Sequence, residues 1–170
     1  MSLAQKYFQI GYVVPDIQKA MAFFKGTLGV PEFYLMEKPE LSDETYLGKP
    51  SPLQVNLAFG WAGQMQLELI EPLSGESTYS KFLSERPQGG MQHFALQVEN
   101  FEAGLAEMKA KGYEPVQTGR NGETYFAYFD TTDSIGVYTE ILHLSAEEMS
   151  AAMGMKKAAN PTDPGFSFSS

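Results

Sequence analysis

The stretch "FQIGYVVPDIQKAMAFFKGTLGV", residues 8–30, decides the fold, because the chain carries the same pattern twice. Its opening alternates, with Phe8, Ile10, Tyr12 and Val14 on one face and Gln9, Gly11 and Val13 on the other, as a half-buried strand does. Pro15-Asp16 ends the strand, and Asp16 is suited to cap a helix. Ile17, Ala20, Phe24 and Leu28 then recur at helical spacing until Gly29 stops the helix. Residues 93–113 repeat the pattern. His93 falls on Gln9, Phe94 on Ile10, Leu96 on Tyr12, Val98 on Val14 and Asn100 on the capping Asp16, and the helix again ends at a glycine, Gly112.

Each unit closes with a similar strand, "MQLELIEP" (65–72) in the first and "GVYTEILHL" (136–144) in the second. Alternation turns Leu67 and Leu69 toward a core and leaves Gln66, Glu68 and Ile70 opposite. In the second unit Thr139 and Ile141 face the core, and Tyr138, Glu140 and Leu142 do not. Two further strand-like runs fill each unit: 32–36 and 53–59, then 114–118 and 124–130. The first unit is the longer, and the loop 37–52 holds its surplus. The expected architecture is therefore α+β: two tandem βαβββ modules forming a curved mixed sheet around one cleft, with helices on the outer face. The expected divisions are a first module at 6–72, a linker with a short helix at 73–89, a second module at 90–144, and a C-terminal helix and tail at 145–170. Ser145 and Glu148 form a capping-box pattern ahead of a helix at about 146–157, with Met149 and Met153 on one stripe. Phe166 and Phe168 in the tail are candidates to dock over a cleft or a neighbouring subunit.

Composition narrows the function. With no cysteine, disulfides and thiolate metal sites are excluded. No apolar run is long enough to span a membrane, and the N-terminus lacks the pattern of a signal peptide, so a cytoplasmic location is expected. The net charge is −9, and Arg86 and Arg120 are the only arginines. That balance argues against nucleic acid as a partner and against polyanionic substrates.

The repeat gives the histidine partners. Gln9 and His93 hold equivalent places on the first strands, and Glu68 and Glu140 on the last strands, all on the face turned from the helices. If the modules pack as pseudo-symmetric halves, these four converge in one cleft. An imidazole, two carboxylates and an amide oxygen suit a divalent metal with positions left for substrate.

The chain resembles the vicinal oxygen chelate superfamily, which includes glyoxalase I, methylmalonyl-CoA epimerase, extradiol dioxygenases and bleomycin resistance proteins. The carriers are "FQIGYVVPDIQKAMAFF", "MQLELIEP", "GGMQHFALQVENFEAGLAEMKAKG" and "FAYFDTTDSIGVYTEIL", spread over about residues 6–144. The resemblance implies Gln9, Glu68, His93 and Glu140 as ligands to Zn, Ni, Co, Mn or Mg, with Glu140 as the proton-shuttling base and Glu68 as the second candidate. It also implies a homodimer. The ligand set looks like that of glyoxalase I, whereas "IEPLSGESTYSKFLSERPQGGMQH" is closer to the epimerases. Epimerases and dioxygenases of this superfamily usually have histidine where Gln9 stands. Epimerases also draw a second acid from the strand before the Glu68 strand, whose outward residues read here as Gln54, Asn56 and Ala58.

The expected function is a glyoxalase-like metal-dependent lyase or isomerase, moving a proton on a small substrate chelated through vicinal oxygens. The competing reading is a metal-free protein that sequesters a small molecule, as bleomycin resistance proteins do. Candidate substrate contacts are Asn56, Tyr138, Tyr128 on a strand with aromatic residues on both faces, and Arg120 for an anionic group. Gln92, placed on the core side by the alternation, has no role in this reading.

Overall fold

The computed structural model describes residues 7–161. The tail residues Phe166 and Phe168 lie outside them. The first repeat unit supplies β1 (Tyr7–Val13), α1 (Ile17–Gly26), β2 (Phe33–Glu37), β3 (Ser42–Tyr46), β4 (Lys49–Pro50), β5 (Gln54–Ala62) and β6 (Met65–Ser74). After α2 (Thr78–Glu85) come β7 (Gly90–Gln97), α3 (Phe101–Ala110), β8 (Pro115–Asn121), β9 (Thr124–Phe129), the one-turn α4 (Thr132–Ile135) and β10 (Tyr138–His143). Helix α5 (Ala146–Ala159) follows.

All ten strands join one sheet in the order β2-β5-β6-β1-β7-β10-β9-β8-β3-β4. The sheet is mixed and strongly curled, a half-barrel. Its axis of pseudo-symmetry runs between β1 and β7, which pair antiparallel with Gly11 opposite His93. On either side lies a parallel neighbour, β6 beside β1 and β10 beside β7. Crossover helices make those parallel pairs. Asp16 caps α1 by accepting from the Lys19 amide, and Asn100 caps α3 by accepting from the Ala103 amide.

Both helices pack on the convex face. Ile17 and Phe24 bury against Ala58, Leu67 and Leu69. Met108 buries against Ala127, Phe129 and Ile141. The concave face holds a third cluster, in which Tyr79 and Phe82 of α2 meet Val13, Ile70, Tyr128 and Tyr138. Helix α2 thus plugs the cleft where β1 ends and β10 begins.

The loop expected at 37–52 contains a hairpin. Strand β3 leaves its own module and pairs with β8, setting Thr45 against Thr118, whose hydroxyls lie 2.7 Å apart. Strand β2 is one edge of the sheet and β3-β4 is the other. Residues 38–41 join them, so the two edges lie within about 18 Å. This strap forces the curl and puts Leu41 at the cleft.

Helix α5 crosses the end of the cleft opposite α2. Its expected Met149–Met153 stripe is not the seated one. Met153 is exposed, whereas Glu148, Ala151, Ala152 and Met155 face the cleft at spacings of three, four and seven. Ala152 is buried there, and a larger side chain at that position would hold the helix off the sheet. No helix among the described residues is long and apolar enough to cross a membrane.

Candidate metal centre

Alternation along β1, β6, β7 and β10 sends Gln9, Glu68, His93 and Glu140 to the concave face, and all four are buried. One ligand atom each from Glu68, His93 and Glu140 lies within 4.8 Å of the others. His93 Nε2 is 3.3 Å from Glu68 Oε2 and 3.3 Å from Glu140 Oε2. Those three atoms and Gln9 Oε1 are buried without a hydrogen-bond partner. Four converging polar atoms without hydrogen bonds are costly unless positive charge lies between them, as a proton on the ring or as a metal ion. A divalent cation would satisfy all of them at once, and the donor set of one nitrogen and three oxygens suits such an ion.

The surroundings aim these atoms. Gln9 Nε2 donates to Gln66 Oε1 at 2.8 Å, which leaves its own amide oxygen free for the cleft. The His93 ring is held at Nδ1 by Gln92 Oε1, 2.7 Å away, which leaves Nε2 as the nitrogen that could coordinate an ion. Strand alternation had turned Gln92 toward the core. The pairing of β1 with β7 slips between Gly11 and Tyr12, which leaves Gln92 without a partner in the ladder. Such a bulge frees a side chain from the strict alternation. The Tyr128 ring stands edge-on to the imidazole, with centroids 5.0 Å apart.

Gly11 makes room for the histidine. A β-carbon there would lie 1.8 Å from His93 Cε1 and 2.1 Å from Nε2. Only a residue without a side chain admits the ring at this crossing of the two modules.

Burial and charge set the protonation states. Burial pushes the His93 ring toward neutrality, but the adjacent carboxylates of Glu140 and Glu68 prevail and raise it to about 9. Burial holds the Glu140 carboxyl above the usual carboxylate range, against the pull of His93. Tyr79 and Tyr128 are pushed well above the usual phenol value, by burial first and by the acidic pair next. Both phenols therefore stay protonated. The Tyr79 hydroxyl donates to that of Tyr128 at 2.9 Å, and the Tyr128 hydroxyl offsets part of the rise at Glu140.

A pH dependence follows. The folded His93 value lies above the ordinary 6.5. In the metal-free protein the charged ring therefore adds stability that is complete below about 6.5 and lost as pH rises through about 9. Metal needs the neutral ring, so binding displaces a proton. Cobalt affinity should rise by about tenfold per pH unit between about pH 6.5 and about pH 8.5. Calorimetric titration in buffers of different ionisation enthalpy checks this, and a pH-independent affinity would contradict it.

The cavity beside these residues measures about 270 Å³. Its lining includes Gln9, Glu68, Glu140 and Tyr128. Asn56, Tyr138 and Arg120, read from the sequence as substrate contacts, are not part of it. In β5 the residues facing the cavity are Val55, Leu57 and Phe59, the opposite parity to that read from the sequence. The register explains why: Leu57 stands opposite Ile70 and Phe59 opposite Glu68, and directly opposed residues share a face. Asn56 lies on the other face, where it donates to Glu71 Oε2 at 2.7 Å and accepts from the Lys38 amide at 3.2 Å. Tyr138 faces the cleft but sits at the α2 end, in the cluster with Phe82. Arg120 is on the outer face, paired with Asp43 at 2.5 Å. Sequence reasoning missed Gln66, Gln92, Tyr79 and the face of α5. Of these, Gln66 shared the parity of Glu68 and was there to be found.

The family model of the glyoxalase/bleomycin resistance protein/dioxygenase superfamily matches residues 8–129. Human mitochondrial methylmalonyl-CoA epimerase is 29% identical over 136 residues, covering 78% of this chain and 70% of that protein. Among solved structures, a hypothetical protein from Bacillus halodurans C-125 matches with a TM-score of 0.61 and 26% identity, over 82% of this chain and 94% of the other. A variant of Streptomyces coelicolor methylmalonyl-CoA epimerase in complex with 2-nitronate-propionyl-CoA gives a TM-score of 0.65 at 23% identity, over 84% of this chain and 96% of the other. Paired modules, the curled sheet and the family match agree: this chain belongs to the glyoxalase/bleomycin resistance protein/dioxygenase superfamily.

Proposed function

We propose that the protein is a metal-dependent isomerase that moves a proton at a carbon next to two chelated oxygens. The observation that carries this reading is the set of orphaned, buried donor atoms of Gln9, Glu68, His93 and Glu140. Glu68, His93, Glu140 and the amide oxygen of Gln9 would hold a divalent cation, which would supply Lewis acidity toward neighbouring substrate oxygens. Glu140 is the base. A carboxyl raised by burial lies nearer to neutrality than a free one, which suits it both to take a proton and to return it. Tyr128, backed by Tyr79, steadies the Glu140 carboxylate through its hydroxyl. Glu68, the matching residue of the other module, is placed to return the proton when the configuration at carbon inverts. Val55, Leu57, Phe59 and Phe126 line the chamber with apolar surface, which keeps water from the reacting carbon.

The epimerase relatives support an isomerase, and the intact donor set supports metal dependence. The test has two parts. Cobalt should bind to chelator-stripped protein in a 1:1 ratio, with a visible spectrum of the bound ion. The loaded protein in deuterium oxide should then wash deuterium into an acidic carbon of methylmalonyl-CoA, or of the hemithioacetal of methylglyoxal and glutathione, or of a carrier-free 2-hydroxy ketone. Stripped protein should not. Equal ligand affinity with and without metal, and no exchange, would instead support a sequestering protein.

A further inference from the structure

Helix α5 forms one wall of the cavity that holds Glu68 and Glu140, and the two modules share in fixing it there. At its start, Thr124 in the β8–β9 hairpin donates to Glu148, which also accepts from the Ser145 amide and hydroxyl. At its end, Asn160 Nδ2 donates to the Gly63 carbonyl at 3.3 Å in the β5–β6 hairpin. Lys156 Nζ lies over the Trp61 ring, 5.3 Å from its centroid. The helix therefore spans from a hairpin of one module to a hairpin of the other, across the cleft.

The face it shows to the cavity is small and apolar except at one point. Ala151, Ala152 and Met155 line the space, and Glu148 adds a third carboxylate to those of Glu68 and Glu140. Among the described residues of the lining there is no lysine or arginine. Arg120 is engaged with Asp43 on the outer face, and Arg86 lies over the Phe82 ring at the α2 end. A divalent ion between Glu68 and Glu140 would balance their two charges and leave Glu148 as a net negative charge facing the ligand. Among the described residues, nothing in this chamber compensates the phosphates of a carrier such as coenzyme A, and the overall charge of −9 opposes them further.

Resting on the proposed metal-dependent proton transfer, we propose that α5 is the wall that selects the substrate. The site takes a small, uncharged, apolar-bodied compound that presents two vicinal oxygens and carries no anionic tail. The metal end fixes the oxygens. Ala151, Ala152 and Met155 fix the length of the body that fits.

The experiment uses full-length protein loaded with Mn²⁺. Benzohydroxamic acid is the probe, being uncharged at neutral pH, ring-bearing and chelating through two neighbouring oxygens. Methylmalonyl-CoA is the anionic competitor. Trp61, the single tryptophan of the chain, reports binding by fluorescence. Benzohydroxamic acid should bind at least ~100-fold more tightly than methylmalonyl-CoA, because like charge in the chamber opposes the carrier. Ala152→Phe, which fills the cavity, should weaken the probe by at least ~10-fold without changing Mn²⁺ affinity, a pocket-size effect of the usual scale. Met155→Ala, which enlarges the cavity without overpacking, should shift preference toward a longer ring-bearing hydroxamate, such as the naphthyl compound. Tight binding of methylmalonyl-CoA overturns the inference, as does probe binding indifferent to both substitutions, while intact Mn²⁺ binding would leave the metal reading standing. Absence of Mn²⁺ binding in the parent protein overturns the metal reading itself and this inference with it.

Discussion

Gly11→Ala is expected to remove the metal site and to cost the fold about 3 kcal/mol, the upper end for overpacking a filled interior. The new methyl would sit 1.8 Å from His93 Cε1, 2.1 Å from Nε2 and 2.4 Å from Nδ1. The ring has nowhere to go. It is fully buried, tied to Gln92 at 2.7 Å and flanked by Tyr128. The backbone at Gly11 is an ordinary strand with no positive φ, so the effect is steric and owes nothing to glycine's wider conformational range. At 2–4 °C per kcal/mol for a protein of this size, the melting temperature should fall by about 10 °C. Cobalt affinity should fall by about 100-fold or more, because a displaced imidazole loses its orientation. Gly26→Ala is the control: nothing lies within 4 Å of that position, and alanine favours the helix it ends. Thermal unfolding followed by circular dichroism, with a cobalt titration of each variant, checks both. If Gly11→Ala melts and binds as the parent does, the packing of His93 against the β1 backbone is not as described.

The second large effect concerns chemistry rather than packing. Glu140→Gln should keep much of the metal and lower proton exchange by about 100-fold or more, since general-base catalysis contributes on that scale. Glutamine preserves the volume and an amide oxygen for the ion, but it cannot take a proton. The loss should appear in the single-turnover exchange rate in deuterium oxide and not in ligand affinity. Glu68→Gln should reduce inversion of configuration more than it reduces exchange, because a residue that only returns the proton is not needed to remove it. Equal rates of exchange for Glu140→Gln and parent would place the base elsewhere.

The residues that converge in the candidate centre were legible because two independent regularities met on them. Period-two alternation put Gln9, Glu68, His93 and Glu140 on one face, and the internal repeat put them at matching positions. The curled sheet with its outer helices was legible for the same reason. What alternation alone governed was read less well. In β5 both faces are apolar, since Val55, Leu57 and Phe59 line a chamber and Ala58 packs under α1, so the polar Asn56 was mistaken for the cleft-facing residue. Gln92 departs from alternation at a bulge, which single-strand patterns do not signal. The wall formed by α5 is built of alanines, whose pattern is faint beside that of Met149 and Met153. Arg120 looked like an anion grip because cations are scarce in this chain, yet its strand turns it outward to Asp43.

The strap at residues 38–41, with the β3-β4 hairpin it leads into, ties the molecule's folding to its duplication. Two βαβββ modules that arise from one pattern are natural candidates for independent folding units. Here strand β3 of the first module supplies the neighbour of β8 in the second, joining Ser42 to Arg120 and Tyr46 to Gln117 across more than seventy residues. Until that distant segment arrives, β8 is a bare edge with unpaired amides and carbonyls, the kind of surface that recruits other chains. Each half therefore completes the other, and neither is a finished sheet alone. Pairings this remote in sequence form late and slowly. The residues that would hold the metal, Gln9 and Glu68 from one half and His93 and Glu140 from the other, lie at the seam, so a half-folded chain would have no site to load.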